Sequence, residues 1–501
     1  MVLARVWSVA MHGVDGTMVE IEADLGPGVP GVHLMGLPDA ALREAKERVR
    51  SAVRNSGVVW PQRQVRLALS PADLPKAGAA YDLALACGLL AAAEVVSPDS
   101  LTGVALLGEL ALDGRTRAVR GVLPALLAAH KAGFGTAIVP AANLAEAGLA
   151  EGIRVLGAEQ LSEVLDWLRG EPHGLREPAP VTGVPTTDGP DLAEVVGQSE
   201  ARWALEVAAA GGHHLLLTGP PGTGKTMLAS RLPGLLPSLS PAQAIELAAV
   251  CSLAGTLPAD GGLLDRPPFV DPHHSISVAA LVGGGSGTAR PGAVSRAHNG
   301  VLFLDEAAEF GPQRLNALRT ALEDGEVRHA RREGVARYPA RFQLVLATNP
   351  CPCAPARDID CTCLPRVRKQ YLGRLSGPLL DRVDLRVQMR PITAIAGGAS
   401  ESSAVVRERV TEARERAAHR WSGHGLRANS EIPGPVLRGE HALSTAATAL
   451  LERGLRSGAV SARGADRCLR VAWTLSDLAG TARPTPDHVA AALGFRERSA
   501  A

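Results

Sequence analysis

A glycine-rich segment near the middle of the chain has the composition and spacing of a phosphate-binding loop. It fits the pattern G-x-x-x-x-G-K-[ST], directly after the apolar run Leu215–Thr218 and before a helix expected from Met227 to Leu232. Glycine lets successive backbone N–H groups point at phosphate oxygens, whereas a chance lysine in a turn would lack this flanking strand and helix. The predicted ATP-binding residues are Gly219, Pro220, Pro221, Gly222, Thr223, Gly224, Lys225 and Thr226, with Thr226 also ligating Mg²⁺.

Two acids follow a second apolar run, Val301–Leu304, about eighty residues downstream. In a nucleotide site Asp305 would hold Mg²⁺ through its water shell, and Glu306 would polarise the attacking water. The alternative is that the two acids only cap the following helix. The next predicted strand, Phe342–Ala347, leads to Asn349, which is placed to sense the γ-phosphate or position water, or else stands in a turn before a proline.

Length and composition limit the classes of protein to which the chain can belong. The chain has 501 residues, a formal net charge of +1 and 21% charged residues, so two to four globular domains are expected. The longest nearly apolar stretch, around Leu83 to Val96, is too short to cross a bilayer, and no secretory signal is evident at the N-terminus. Seven cysteines do not indicate a disulfide scaffold. We therefore expect a cytoplasmic protein without a membrane partner.

Three regions and a linker organise the chain. Residues 1–170 mix strands (Met18–Ala23, Val65–Leu69) with helices and predict an α+β domain. Residues 171–190 are rich in proline and glycine and predict a linker. Residues 191–395 alternate buried strands with helices, which predicts a parallel α/β sheet with an insertion at 350–364, and residues 396–501 are predicted helical. The helices expected there span 402–420, 439–457, 462–479 and 485–495.

Four segments together carry a resemblance to a known family. GPPGTGKT, VLFLDEAAEF, ATNPCPC and GPLLDRVDL resemble the magnesium-chelatase-like branch of the AAA+ ATPases, and more closely the ComM/YifB family. The resemblance covers nearly the whole chain. It implies an ATP-hydrolysing ring motor that acts on branched or single-stranded DNA, with branch-migration or helicase activity in recombination or natural transformation. The alternative is a magnesium-chelatase-like or MoxR-like ATPase for protein remodelling or metal insertion.

The same resemblance assigns two arginines to the nucleotide site. Arg382, in Gly377–Arg382, matches the segment that carries the arginine finger, which acts on a neighbouring subunit's nucleotide. Arg463 matches the start of the sensor-2 helix and is expected to touch the γ-phosphate, with Arg470 as the fallback. Surface salt bridging is the alternative for both. A finger acting between subunits implies a homo-oligomer that closes head to tail, as a hexameric ring.

Two C-x-C pairs lie in the insertion. Residues i and i+2 of an extended chain point the same way, so Cys351 with Cys353 and Cys361 with Cys363 predict a tetrahedral Cys₄ site for structural Zn²⁺. The spacing is tighter than in common zinc ribbons. Disulfides are the alternative, disfavoured in a reducing cytoplasm.

A charged hairpin is predicted over 326–337, turning near Glu333-Gly334. Four arginines on it are expected to follow DNA phosphates with little sequence preference: Arg328, Arg331, Arg332 and Arg337. The alternative is a solvated hairpin without a ligand. A second insertion carries His273 and His274, which could contact a ring neighbour or DNA but from which the sequence demands no chemistry.

The N-terminal region resembles the proteolytic domain of Lon, of ribosomal S5 domain 2-like fold. That family uses a serine–lysine dyad, whereas the matching positions here are Ala80 and Leu123, which cannot act as nucleophile or base. The domain is therefore expected to be inactive as a protease and to support the ring. Lys76, without a serine partner, is expected at the surface.

Overall fold

The computed structural model describes residues 3–171, 174–179, 189–258, 262–285, 289–331, 334–355, 360–391 and 400–497. Residues 172–173 and 180–188 of the predicted linker lie outside these ranges, as does Arg332.

The N-terminal elements are β1 (Ala4–His12), β2 (Asp15–Gly26), β3 (Gly31–Met35), α1 (Ala40–Asn55), β4 (Gln64–Ser70), α2 (Asp82–Ala92), β5 (Val104–Leu106), β6 (Glu109–Leu110), β7 (Thr116–Arg117), α3 (Val122–Lys131), β8 (Thr136–Pro140), α4 (Leu144–Ala147), β9 (Arg154–Ala158) and α5 (Leu161–Leu168).

The central elements are α6 (Ser199–Gly211), β10 (Leu215–Thr218), α7 (Lys225–Ala229), α8 (Leu232–Leu235), α9 (Pro241–Ala254), β11 (Phe269–Val270), α10 (Val278–Val282), β12 (Gly283–Gly284), β13 (Arg290–Pro291), α11 (Ala293–Arg296), β14 (Val301–Leu304), α12 (Gly311–Asp324), β15 (Glu326–Arg331), β16 (Gly334–Pro339), β17 (Gln343–Thr348), α13 (Pro365–Gly373), α14 (Gly377–Leu380) and β18 (Leu385–Gln388). The C-terminal helices are α15 (Ser403–Trp421), α16 (Gly434–Arg438), α17 (Thr445–Arg456), α18 (Ala462–Leu478) and α19 (Pro486–Glu497).

A mixed sheet forms the N-terminal part. In the described ranges its order is β3-β4-β2-β1-β5-β8-β9, and β1 pairs antiparallel with β2 along the whole length of β1. Alternate residues of β2 are buried, because one face of the sheet packs on helices and the other faces outward. Helix α2 is buried at every position, so it forms the centre of this core. The strands and helices expected here are confirmed to within three residues at each end.

A parallel sheet forms the centre of the chain. Its order is β11-β14-β17-β10-β18, and every pairing is parallel. Leu215 and Leu217 contribute to one apolar core and Leu216 to another, since successive side chains point to opposite faces. The carboxyl ends of all five strands consequently lie at one edge of the sheet, which is where ligands bind in such folds.

Two predicted helices are shorter than expected. The helix after the glycine-rich loop stops at Ala229, because the ring of Pro233 would meet the carbonyl four residues earlier. The helix expected from Gly439 begins only at Thr445, where the Ser444 hydroxyl caps it by accepting from the Ala447 N–H at 3.3 Å. Residues 439–444, between α16 and α17, are not helical.

The C-terminal helices pack on the parallel sheet through one shared core. Helix α15 contributes Val410 and Trp421, and α18 contributes Val471 and Trp473, all buried with Leu215 of β10. The protein is thus a mixed α/β structure with a parallel sheet and many helices. No helix within the described ranges is long and apolar enough to cross a membrane.

Candidate functional site

The glycine-rich loop connects β10 to α7 at the carboxyl edge of the parallel sheet. Gly222 and Gly224 have positive φ angles of +76° and +86°, which side chains with a Cβ rarely adopt. Gly219 donates its N–H to the Thr348 carbonyl at 3.2 Å, and a Cβ there would lie 2.6 Å from the Met389 carbonyl oxygen. The loop is therefore tied to the ends of the neighbouring strands β17 and β18.

Lys225 is the first residue of α7, near the end of the loop, and is 8% exposed. Its ammonium donates to the carbonyls of Gly219 and Pro220 at 2.7 and 2.9 Å and to Asn349 Oδ1 at 3.1 Å. Burial lowers the pKa of Lys225, and the nearby Asp305 and Glu306 carboxylates oppose that effect. The lysine is thus held between the loop and the end of β17.

Thr226 and Asp305 meet across the sheet edge. The Thr226 hydroxyl donates to Asp305 Oδ2 at 2.6 Å, and the other oxygen of Asp305 accepts from the Glu306 N–H at 2.9 Å. These residues are far apart in sequence, but β10 and β14 both flank β17, so their carboxyl ends lie close together. A hydroxyl and a carboxylate at this spacing are suitable oxygen ligands for Mg²⁺.

Glu306 stands in an unusual backbone conformation and has a histidine partner. Its φ is +49°, in the left-handed region that residues other than glycine rarely adopt. Glu306 Oε2 lies 3.3 Å from His274 Nδ1, and the His274 ring lies 4.1 Å from that of His273. The sequence singled out the histidine pair without giving it a role. The pair follows β11, the strand beside β14, and this position is the feature that could have indicated its approach to Glu306.

Gln198 was not predicted from the sequence. Its side chain donates to the carbonyls of Thr223 at 3.2 Å and Arg390 at 2.7 Å, and its φ is +52°. It therefore joins the glycine-rich loop to the segment after β18. The Gly197-Gln198 pair directly before α6 was the only local feature of the sequence that could have indicated this role.

Arg382 and Arg463 lie away from the glycine-rich loop of their own chain. Leu385 at the start of β18 pairs with Leu215 at the start of β10, so Arg382 lies at the amino edge and the loop at the carboxyl edge. Arg463 is 82% exposed and lies 3.9 Å from Asp381 on the same side as Arg382. The expected contact of Arg463 with the γ-phosphate is therefore not met within one protomer.

Arg382 belongs to a group of positive charges. It forms an ion pair with Glu323 and donates to the Pro378 carbonyl at 2.6 Å. Burial lowers its pKa, and the neighbouring guanidinium groups of Arg319, Arg467 and Arg463 lower it further. The fallback residue Arg470 is directed elsewhere, to the Ile432 carbonyl at 2.7 Å. The positive charge of these arginines is only partly offset by their carboxylate partners Glu323, Asp381 and Asp384.

The predicted hairpin is confirmed as β15 and β16. Arg328 and Arg337 lie directly opposite each other, and both are exposed. Arg328 forms an ion pair with Glu326, and the Arg337 carbonyl accepts from the Val14 N–H at 3.1 Å, so the hairpin contacts the turn between β1 and β2. The side chain of Arg331, like the whole of Arg332, lies outside the described residues.

The four clustered cysteines come together. Cys351 Sγ lies 3.3 Å from Cys353 Sγ and 3.4 Å from Cys361 Sγ, and all four sulfurs, Cys363 included, lie within 4.8 Å of one another. None of the seven cysteines, all in the described ranges, forms a disulfide. The expected sulfur–sulfur separation around tetrahedral zinc is about 3.8 Å, so the cluster has nearly the size of a Cys₄ site.

The cysteines differ in their pKa values. Desolvation raises the pKa of Cys351 to about 12. For Cys361 desolvation acts in the same direction, but the Cys363 backbone N–H and the Arg368 guanidinium, 3.2 Å away, outweigh it and lower the pKa to about 6. Cys361 is therefore largely a thiolate near neutral pH, the form that binds metal.

The chain matches three family models over most of its length. They are "Magnesium chelatase, subunit ChlI" over 191–396, "Subunit ChlI of Mg-chelatase" over 21–143 and "Magnesium chelatase, subunit ChlI C-terminal" over 400–496. It is 59% identical to an uncharacterized protein of Mycobacterium tuberculosis over 100% of both chains. It is 41% identical to the uncharacterized protein YifB of Escherichia coli (99% of this chain, 97% of the relative) and 40% identical to the competence protein ComM of Haemophilus influenzae (99% and 98%).

The chain belongs to the ComM/YifB family of magnesium-chelatase-like proteins. Membership in this AAA+ family suggests ATPase activity with ATP and Mg²⁺, and an oligomeric assembly. A part of the chain that makes up 27% of its length is also similar to Lon protease 2 of Bacillus subtilis, with 34% identity over 143 residues. This similarity supports the Lon-like character of the N-terminal region.

The Lon-like region corrects one expectation. Lys76 is not at the surface: its side chain is fully buried, it donates to the Pro71 carbonyl, and burial lowers its pKa. Ala80 uses only its backbone, accepting from the Gly108 N–H at 2.8 Å, and Leu123 is buried in the core. The side chains of this alanine and leucine carry no nucleophile or base.

Proposed function

We propose that this chain is the ATP-hydrolysing subunit of a ring that moves DNA. The observation that supports the ATPase part is the meeting of three sequence-distant segments at one sheet edge. Lys225 contacts Asn349, and Thr226 contacts Asp305, although 124 and 79 positions separate the two pairs. Such a set matches the requirements of phosphoryl transfer: a cation for phosphates, ligands for Mg²⁺ and an amide that positions water.

ATP and Mg²⁺, when bound, supply the phosphoanhydride and the ion that neutralises its charge. The residues fit both, since the backbone amides of 219–226 and the Lys225 ammonium are suited to phosphate oxygens. Thr226 and Asp305 offer the oxygens for Mg²⁺. Glu306 accepts the proton of the attacking water, and Asn349 orients that water or the terminal phosphate.

Ring assembly completes the site in this proposal. Arg382 and Arg463 lie at the edge opposite their own glycine-rich loop, so they are suited to the nucleotide of a neighbouring subunit. Their clustered positive charge would be offset by phosphate in a head-to-tail interface, and repetition of that interface closes a hexameric ring. We further propose three domains, at 1–170, 191–395 and 396–501, with residues 171–190 as the linker between the first two.

DNA is the proposed substrate of the motor. Arg328 and Arg337 occupy directly opposite positions of the exposed hairpin, where Glu326 offsets the charge of Arg328 and the charge of Arg337 is exposed to solvent. A phosphate backbone supplies anions for such charges without sequence preference. With Arg331 and Arg332 they form the proposed contact to branched or single-stranded DNA, in recombination or natural transformation.

Structural zinc is proposed for the Cys₄ cluster. Four sulfurs in one group, with Cys361 largely ionised, match the ligand set of a closed site that stabilises structure. The cluster begins two residues after Asn349, so zinc there would brace the segment between that residue and Arg382.

A second candidate function is metal insertion or protein remodelling. The observation that favours it is the match to magnesium chelatase subunit models over three parts of the chain. Both functions use the same ATPase site and ring, so they differ only in the substrate that stimulates hydrolysis.

ATP turnover by the full chain tests the proposal. We expect hydrolysis to be stimulated by forked, four-way or single-stranded DNA and to be lost in Glu306→Gln, which still binds nucleotide. If the wild type hydrolyses ATP but no DNA binds or stimulates it, the motor function is wrong and the second candidate stands. If the wild type binds ATP yet does not turn it over in assembled form, the ATPase proposal itself fails.

A further inference from the structure

A second group of metal-binding side chains lies in the C-terminal helical region. His424 is in the turn that follows α15, and Glu440 and His441 are in the turn that follows α16. One ligand atom from each of the three lies within 4.8 Å of the other two. None of these residues takes part in the proposed nucleotide, zinc or DNA sites.

The spacing of these donors matches a small divalent ion. His424 Nε2 lies 3.4 Å from Glu440 Oε2. Two ligands bound tetrahedrally at about 2.1 Å lie about 3.4 Å apart, so this pair already has the separation that zinc requires. Two imidazoles and one carboxylate are also a ligand set that zinc takes in proteins, with one coordination position left for water.

The His441 ring is held in place by aromatic neighbours. Its centroid lies 4.6 Å from that of Trp421 and 6.0 Å from that of Trp473, both edge-on, and 6.3 Å from that of His424. A ligand whose ring is already packed loses less conformational entropy on binding than a free surface side chain. Burial also lowers the pKa of His441.

Two arginines oppose a cation here, and the structure compensates one of them. Arg420 and Arg483 both lie close enough to lower the pKa of His441, while Glu440 acts the other way. Arg420 donates to the Asp477 carboxylate at 3.0 Å, so much of its charge is neutralised. The Glu440 carboxylate remains as the charge that faces the ion.

We propose that His424, Glu440 and His441 form a site for a zinc-type divalent transition metal, with water in the fourth position. The ion would fasten the turn after α15 to the turn after α16. Both turns border the aromatic cluster of Trp421 and Trp473, so binding would stabilise the helical region. This site is independent of the Cys₄ cluster and of the proposed function.

Metal titration of the metal-stripped full chain tests the proposal. The wild type should bind two equivalents of Zn²⁺, and His424→Ala and Glu440→Gln should each weaken the second by more than about 100-fold, since even outer-shell partners are worth about 10- to 100-fold. His419→Ala, which removes an exposed histidine from the end of the same helix, should leave both equivalents intact.

Cobalt separates the two sites in the same samples. Co²⁺ at the Cys₄ cluster gives strong sulfur-to-metal charge-transfer absorption, whereas a site of two histidines and a glutamate gives only weak visible bands. We expect the weak bands to vanish in His424→Ala and to persist in a Cys351→Ser/Cys361→Ser variant. Absence of the weak Co²⁺ bands in the Cys351→Ser/Cys361→Ser variant, or unchanged second-site affinity in both His424→Ala and Glu440→Gln, overturns the proposal and leaves only ring packing and an ion pair.

Discussion

The guanidinium of Arg467 donates a hydrogen bond to the backbone carbonyl of Arg382 at 2.9 Å. The same nitrogen of Arg467 lies 2.6 Å from Asp384 Oδ1, and Asp384 is only 2% exposed. Arg467 belongs to helix α18, while Arg382 and Asp384 lead into strand β18 of the sheet. The C-terminal helices are thereby fastened to the segment that presents the proposed arginine finger.

Asp384 makes this junction sensitive to acid. Desolvation would raise its pKa, but His213 at 3.2 Å and Arg467 together hold the pKa well below its usual range. A carboxyl with a lowered pKa in the folded state stabilises the protein above its unfolded pKa, about 4, and that contribution is lost as pH falls further.

Arg467→Met should therefore lower the free energy of unfolding by about 3 kcal/mol near neutral pH, because it leaves a buried carboxylate without its cation. The difference from wild type should shrink as pH falls below about 4. Urea unfolding at several pH values measures it. A difference that stays constant down to strongly acidic pH would show that Asp384 is not coupled to Arg467.

Arg382 and Lys225 should act on the same nucleotide from different subunits. Each of Arg382→Ala and Lys225→Ala should lower ATP turnover by a factor on the order of 10³, since a finger arginine is worth about 10³–10⁵. Mixing the two inactive variants should restore activity at roughly a quarter of the interfaces, because each of these pairs one intact loop with one intact finger. If mixtures stay inactive while their subunits co-assemble, Arg382 does not act between subunits.

His274→Ala should change the basal ATPase rate. The 3.3 Å contact restrains the Glu306 carboxylate and uses one of its oxygens, so its removal should raise DNA-independent turnover about five-fold, the equivalent of one hydrogen bond of about 1 kcal/mol. Steady-state hydrolysis without DNA measures this, with His33→Ala, an exposed histidine of the N-terminal sheet, as the matched control. A decrease would mean that His274 assists Glu306 instead of restraining it.

Cys361→Ser should remove the proposed zinc of the Cys₄ cluster. Metal analysis after dialysis should fall by about one equivalent per chain, and thermal unfolding should occur at a lower temperature because metal binding contributes to folding. Cys468→Ala, at a buried cysteine of α18, should keep that equivalent even if it is less stable. Equal metal content in wild type and Cys361→Ser would exclude the Cys₄ site.

Arg328→Ala/Arg337→Ala should weaken DNA binding at every sequence alike. Loss of two phosphate contacts should reduce the slope of log affinity against log salt by about 1.4 to 1.8, depending on the strandedness of the DNA. Fluorescence anisotropy at several salt concentrations measures the slope. Arg154→Ala, at an exposed arginine of β9, should leave the slope unchanged, and an unchanged slope in the double variant would remove the hairpin from the DNA site.

The parts of the site that were predictable are those in which neighbouring residues carry the chemistry. The loop around Lys225 and the acids after Val301–Leu304 were recognisable because a buried strand followed by glycines or carboxylates is a local pattern. Gln198 and the His274–Glu306 contact were not, since each depends on the approach of segments well separated in the chain. Lys76 was misplaced because burial of a lysine depends on surrounding packing and not on its neighbours in sequence.

The sequence by itself determined five of the strands and the charged hairpin, the loop between Gly219 and Thr226, the grouping of cysteines and the family. Those features depend on residue type and short spacing, which set backbone freedom, side-chain alternation and ligand chemistry within a few positions. Only the tertiary structure decided that Asn349 lies beside Lys225, and that Arg382 lies at the opposite edge from its own loop. The order of strands in the parallel sheet controls both, because it arises from burial of apolar faces over the whole domain and is not written in any one segment.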